Sequence, residues 1–416
     1  MKYLGHRSLV TLLSVFLVVE VGWSQGIAFR GTGAVNESMG GASTACPIDA
    51  AGALYWNPAS MTGLNQSQIS ANFGLILPEL SVSSQLPAAF GGYGGGTTDS
   101  ESGAVPAPTI AIVHRNPDSR WSWGLHLGII GGAKTNFPAS SSITDNPIFC
   151  KSQVGYGNVN SDIQVMQLAP SLAYQVTDKL SIGFGPTVTM CYLNCTPLYV
   201  VPEADNAVGP GSRWAWGGGF QIGAYYNTFC GWRFGFSYKS ENWMEEFRLR
   251  TTDSNGMPQV LNLALNYPQI VSLGVCYDGF DKWLFAFDWR YFFFKEAGYG
   301  DLGWENAMSF NFGVQRILTD KLSVRGGYSF NQDCIRETAA RENLASPLIP
   351  GHAVYCGFSY RMYLNMSVHL TYGHIFEKTI EGPYFGETGL AQGISGGYIR
   401  STVSANLLTM GFSVDF

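Results

Sequence analysis

Five of the six histidines, His114, His126, His352, His369 and His374, lie beyond the first hundred residues; they are the side chains best suited to moving protons near neutral pH, and they stand singly along the chain. Hydrolysis needs a nucleophile, a base and an orienting polar group in one place, and no nucleophile elbow or metal-binding spacing accompanies any of them. The chain therefore reads as a protein that is not an enzyme, with no metal and no cofactor. Its eight cysteines, Cys46, Cys150, Cys191, Cys195, Cys230, Cys276, Cys334 and Cys356, offer disulfide chemistry in an oxidising compartment. Their wide spacing fits no zinc signature. On one continuous strand Cys191 and Cys195 would lie about 13 Å apart, too far to bridge, which leaves Cys150, Cys195 and Cys334 in expected loops as the better-placed partners. The plain alternative is that several are small buried hydrophobes.

The elements that would position these residues are strands. Near the C-terminus, apolar Leu408, Met410, Phe412, Val414 and Phe416 alternate with small or polar Thr409, Gly411, Ser413 and Asp415. Period-two alternation gives a strand one greasy and one polar face, as in a barrel wall between lipid and lumen. The same pattern recurs at 180–190, 322–331 and 366–373. Short polar connections at 116–119, 177–179, 227–231, 278–282, 319–321 and 363–365 each join two such runs as tight hairpins. Strands are expected near 66–77, 107–115, 120–131, 164–176, 180–192, 214–226, 232–242, 268–277, 283–293, 305–317, 322–331, 353–362, 366–376 and 401–416. Long connections alternate with the short ones, which predicts an all-β, fourteen-stranded antiparallel transmembrane barrel. A soluble β-sandwich shares the period but not this alternation of connections.

Composition agrees. Charged residues make up 13% of the chain, about half the soluble average, while aromatics reach 14% and glycines number 51. Clusters at Trp121 and Trp123, Trp214 and Trp216, 283–294 and 355–363 read as interfacial aromatic girdles or as ordinary sheet packing. The net charge of −6 suggests no nucleic-acid partner. Residues 1–24 read as a secretory signal: Lys2 and Arg7, an apolar run, then small residues.

Residues 25–65 precede the barrel, 66–416, and are rich in glycine and alanine. A fourteen-strand wall encloses more space than its inward side chains fill, so this segment is expected to plug the lumen as a small hatch. Within it, the side chain of Asn57 before Pro58 can bond the backbone two residues on and make a rigid corner.

Several pieces follow one another in a set order and spacing: Met39-Gly40-Gly41-Ala42, Ile48-Asp49-Ala50-Ala51-Gly52 and Asn57-Pro58-Ala59; Trp216-Gly217 to Tyr226; Arg233-Phe234-Gly235-Phe236-Ser237-Tyr238-Lys239-Ser240-Glu241; Ile349-Pro350; Glu381-Gly382-Pro383-Tyr384; and Phe416. In these the chain resembles the outer-membrane long-chain fatty acid and hydrophobic-compound transporters of the FadL/TodX type. The resemblance implies a multi-pass barrel in the outer membrane of a Gram-negative cell. It also implies passive uptake of hydrophobic molecules, foremost long-chain fatty acids, captured by outer loops and released sideways into outer-membrane lipid. Gly26, Ile27, Ala28 and Phe29 would then reach the ligand; Asp49, Asn57, Pro58 and Ala59 would form the hatch motif; Gly131 and Gly132 would kink strand three. Leu198, Tyr199, Trp243, Met244, Phe247 and Leu249 are capture-groove candidates, and Arg248, Arg336 and Arg341 are candidates to hold a carboxylate head group. The implied partners are apolar small molecules and, through Phe416, the barrel-assembly machinery, with the protein a monomer. The shorter third outer loop and the cysteines depart from the family pattern. The competing function is a porin-like or adhesive surface barrel without hydrophobic transport.

Overall fold

The computed structural model describes residues 26–116, 118–152, 154–196, 213–252, 257–349 and 351–416. The expected signal, residues 1–24, lies outside the described residues. Fourteen antiparallel strands form a closed wall. They are β1 (Gln68–Gln85), β2 (Val105–Arg115), β3 (Trp121–Phe137), β4 (Val159–Gln175), β5 (Leu180–Thr196), β6 (Arg213–Asn227) and β7 (Trp232–Lys239). Then follow β8 (Gln269–Tyr277), β9 (Trp283–Phe293), β10 (Ala307–Ile317), β11 (Leu322–Asn331), β12 (His352–Arg361), β13 (Met366–Gly382) and β14 (Tyr398–Asp415). Closure comes from β14 pairing with β1, from Gln68 opposite Asp415 to Gln85 opposite Tyr398. That pairing joins the last strand to the first and closes the sheet on itself.

The alternation expected from the sequence is realised side chain by side chain. In β14, Leu408, Met410 and Phe412 face outward and exposed, while Thr409, Gly411 and Ser413 are buried. All six short turns fall at one end, the periplasmic end of such a barrel. Trp121, Trp123, Trp232 and Trp283 ring that end, and Trp214 and Trp216 point outward near the other. Several strands outrun the expected limits: β1 reaches Gln85 rather than 77, β3 reaches Phe137 rather than 131, and β13 reaches Gly382. There the wall rises above the lipid, the outer face no longer needs to be greasy, and the period-two signal fades. A strand at Gly94–Asp99 adds to β1, Trp243–Met244 pairs with β6, and Phe247–Thr252 forms a hairpin with Pro258–Leu263.

The hatch fills the lumen near the periplasmic end. It comprises helix α1 (Gly33–Ser38), helix α2 (Ala50–Trp56) and a 3-10 turn at Pro58–Gly63. Asp49 caps α2, accepting from the Gly52 amide at 3.3 Å. Asn57 makes the expected corner, its Oδ1 accepting from the Ala59 amide at 3.1 Å, while its Nδ2 donates to the Thr44 carbonyl at 2.8 Å and to Ala224 of the wall at 3.0 Å. One carboxylate on β9, Asp288, accepts from the amides of Ser43 and Thr44 at 2.8 and 2.9 Å, from the Thr44 hydroxyl, and from Arg290 at 2.6 Å. Arg290 also donates to the Gly41 carbonyl and lies 3.3 Å from the centre of the Trp56 ring.

Glycines in the wall make this approach possible. A Cβ on Gly235 would strike the Thr44 carbonyl, one on Gly327 would strike Gly40, and one on Gly183 would strike Ala59. These wall glycines form a cradle for the hatch backbone. Burial is complete enough to push the Glu37 carboxyl up to about 7 and the Asp49 carboxyl up to about 6, because the charged form loses its water.

Candidate ligand cavity and wall opening

The first residues of the described chain pair with the wall at a kink in β3. The ladder between β3 and β4 shifts register between Ile129 and Gly131, a bulge that leaves Ile130 without a partner on β4. The freed Ile130 carbonyl points inward and accepts from the Phe29 amide at 2.9 Å and the Tyr267 hydroxyl at 3.3 Å. In return the Gly132 amide donates to the Ile27 carbonyl at 3.1 Å, and Ala28 faces Gly131 as a bridge. Gly132 has a φ of +157°, and a Cβ on Gly131 would meet the Ile27 carbonyl oxygen at 2.6 Å. A Cβ on Gly132 would meet the Ile163 carbonyl oxygen at 2.5 Å, so backbone comes close at both expected kink glycines.

The kink opens the wall on its other side. β2 pairs with β1 up to Val105, but its pairing with β3 stops at Thr109 opposite Gly128. Above that point β3 bends away with β4 to Phe137. Higher up, the segment leading into β2 meets β3 again: the Glu101 amide donates to the Asn136 carbonyl at 2.7 Å and the Asn136 amide to the Ser100 hydroxyl at 2.9 Å. Among the described residues, 105–108 of β2 and 129–135 of β3 face each other across a window without backbone pairing. Pro106 and Pro108 sit on the lip of this window; lacking amide hydrogens, they cannot donate to a neighbouring strand. They are not among the site residues expected from the sequence, although two prolines in one strand are a legible mark of an unpaired edge.

Both lips line the same cavity, of about 160 Å³. Gly26, Ile27, Ala28 and Phe29 form its inner side, Val105 and Ala107 one lip, Gly132, Ala133, Lys134 and Thr135 the other, and Ile76, Leu80 and Val403 its apolar wall. A smaller apolar cavity of about 30 Å³ lies beyond Ile27, lined by Leu193, Met244, Phe247, Tyr267 and Tyr299. Ile27 lines both and stands between them. On the other side of the hatch a polar vestibule of about 580 Å³ is lined by Arg233, Asp278, Lys282, Arg325, Arg361 and Asp415.

The residues expected at the ligand thus divide into those the fold gathers and those it does not. Residues 26–29, Gly132, Met244 and Phe247 meet around the two cavities. Asp49, Asn57, Pro58 and Ala59 serve the body of the hatch. Trp243 is exposed on the outer side of the wall. Leu198 and Tyr199 lie outside the described residues, as does the side chain of Leu249. The three arginines line neither cavity. Arg336 pairs with Glu305 and Glu387, Arg341 donates to the Tyr384 carbonyl and the Tyr156 hydroxyl, and Arg248 is exposed on a loop hairpin. Their spacing in sequence carried no information about which loop faces the lumen. The cation at the larger cavity is Lys134 of β3, with Arg30 of the hatch on the far side. The histidines do not converge; His369, for instance, bridges the hydroxyls of Ser359 and Ser413 within the wall.

No curated protein sequence matches the chain. Among solved structures it is similar to the Pseudomonas putida toluene transporter TodX, at TM-score 0.69 and 17% identity over 93% of this chain and 99% of that one. A Pseudomonas aeruginosa FadL homologue gives 0.70 and 15% over 94% and 100%, and the Ralstonia pickettii toluene transporter TbuX gives 0.64 and 18% over 93% and 99%. These likenesses show the fold. The sequence profile described as "Outer membrane protein transport protein (OMPP1/FadL/TodX)" matches residues 16–416, and the chain belongs to that family of outer-membrane transporters of hydrophobic compounds.

Proposed function

We propose that this barrel takes up small hydrophobic molecules by passive diffusion and releases them sideways through the window between β2 and β3. The observation that carries the reading is that both lips of the window line the apolar cavity reached by residues 26–29. A hydrophobic molecule leaving an apolar site for water loses about 0.8 kcal/mol per methylene. The route past the hatch leads into the polar vestibule, whereas the window leads to lipid. The path inward runs from the small cavity at Met244 and Phe247 past Ile27, so the N-terminal segment has to shift for the two cavities to join. An open porin or an adhesive barrel has no use for a hatch whose first residues are hydrogen-bonded to a bulge in the wall.

Long-chain fatty acids are the substrate class expected from the sequence, and Lys134 offers their carboxylate a cation at the lip. A second reading is favoured by size. An apolar cavity of about 150 Å³ holds a benzene ring, so the cavity of about 160 Å³ suits a one-ring hydrocarbon, while a long chain would extend through the window. The relatives named as toluene transporters point the same way. The chain works as a monomer, catalyses no reaction, and is recognised for assembly through Phe416. The test is to purify the folded barrel from outer membranes and identify the apolar molecules that copurify, comparing it with a variant lacking residues 26–29. Fatty acids or hydrocarbons recovered with the wild type and lost from the variant support the pocket and choose between the classes. A wild-type barrel that retains neither and conducts ions freely returns the porin reading.

A further inference from the structure

The hatch carries one cysteine, Cys46, and the wall beneath it carries Cys276 on β8. Their sulfurs lie 2.6 Å apart, in contact, although 230 positions separate them in the chain. Both are buried, at 1% and 0% exposure, among Met39, Ala42, Ala45 and Ala286. This juxtaposition is fixed by its surroundings. The preceding residues Ser43 and Thr44 are held by Asp288, which stands opposite Gly274 in the β8–β9 ladder. A Cβ on Gly274 would meet the Thr44 side chain at 2.7 Å and the Ala45 nitrogen at 2.8 Å, so glycine there lets the hatch backbone lie on the strand two residues from Cys276. Register and anchor together deliver one sulfur to the other.

We propose that Cys46 and Cys276 form a disulfide that staples the hatch to the barrel wall. A bond of about 2.05 Å needs only a small further approach of the two sulfurs. The strand ends and short turns place this pair toward the periplasm, a compartment that supports disulfides. The thiolate of one cysteine attacks a protein disulfide of a periplasmic dithiol oxidant, giving a mixed disulfide; the second cysteine displaces the oxidant. Two S–H bonds are lost and one S–S bond forms, and the oxidant leaves as a dithiol carrying the two electrons. Burial pushes the Cys46 thiol up, so thiolate chemistry is suppressed once the hatch is seated and the exchange belongs to assembly. The staple confines the hatch body to the lumen and leaves movement to residues 26–29.

The experiment uses the full mature protein in outer membranes isolated without reductant, with N-ethylmaleimide present from lysis. The protein is then denatured, digested and read by mass spectrometry. The expected result is one joined pair of peptides, containing Cys46 and Cys276, that separates after reduction. Maleimide on both cysteines in most molecules, or either joined to a different cysteine, overturns the assignment. In planar bilayers the C46S/C276S double variant, or wild type after reduction, should reach the large-conductance open state at lower urea than oxidised wild type. Equal urea thresholds overturn the role of the bond in retaining the hatch.

Discussion

The body of the hatch and its first four residues sit in the same lumen but are held by different means. Residues 41–64 meet the wall through the Asp288 carboxylate, the Arg290 guanidinium and the Asn57 amide, over glycines that let backbones touch. Residues 26–29 meet it through two backbone hydrogen bonds to the bulge in β3 and through apolar contact around a cavity. A buried ion pair is costly to disrupt, because the partner that remains is left unpaired in a dry place. Two neutral backbone hydrogen bonds contribute about 0.5–1.5 kcal/mol each, less than a buried ion pair, so residues 26–29 are the easier part to displace. The fold thus separates a part that stays from a part that yields, and the yielding part lies at the window.

The largest effect should come from removing the anchor of the fixed part. Asp288→Ala leaves Arg290 buried without its carboxylate and three hatch donors without an acceptor, a loss of about 3–5 kcal/mol. The hatch should release in mild urea with the strands still paired, seen as a jump in ion conductance at unchanged circular dichroism. Asn57→Ala removes the donor to Thr44 and Ala224 and should cost about 1–3 kcal/mol, lowering the same urea threshold by less. If both variants keep the wild-type threshold, the body is not fixed in the way described.

The yielding part predicts the opposite signature. Deleting residues 26–29 should leave the urea threshold of the body unchanged. It should cut ligand binding about tenfold, the equivalent of burying one apolar side chain such as Ile27. Titration with a spin-labelled fatty acid and with a fluorescent one-ring hydrocarbon would measure it, and unchanged binding of both would merge the two regions into one.

The smallest effect is of pH. Glu37 binds its proton more tightly in the seated hatch, at about 7, than at its ordinary value of 4.5, and Asp49 likewise at about 6 against 3.8. The folded state then holds more protons than the unfolded one between these limits. The stability of the hatch should be greatest below about pH 4 and fall as pH rises toward about 7. Glu37→Gln should flatten most of the upper part of that slope in urea titrations of conductance.

The strands and turns were legible because lipid enforces period-two alternation, and legibility ended where the wall leaves the lipid, as at Ser81 to Gln85. The corner at Asn57 was legible because the bond is local. The glycine cradle was not, since nothing near Gly235 or Gly274 in sequence names Thr44 as the neighbour. The kink at Gly131 and Gly132 was legible only through the resemblance to the family, and the window needed Pro106 and Pro108 as well, whose meaning depends on which strand lies alongside. The arginines expected at a head group lie away from both cavities for a related reason: charge in a loop says nothing of its direction, and each has a local acceptor or open solvent.

The central claim is release through the window, and bridging its lips tests that directly. Ala107→Cys and Ala133→Cys would be introduced with the other exposed cysteines replaced, and joined in whole cells by a reducible bismaleimide. Uptake of labelled toluene and palmitate should then stop, and return when the linker is reduced. Uptake at the uncrosslinked rate with the lips joined would contradict lateral release and send the substrate past the hatch instead.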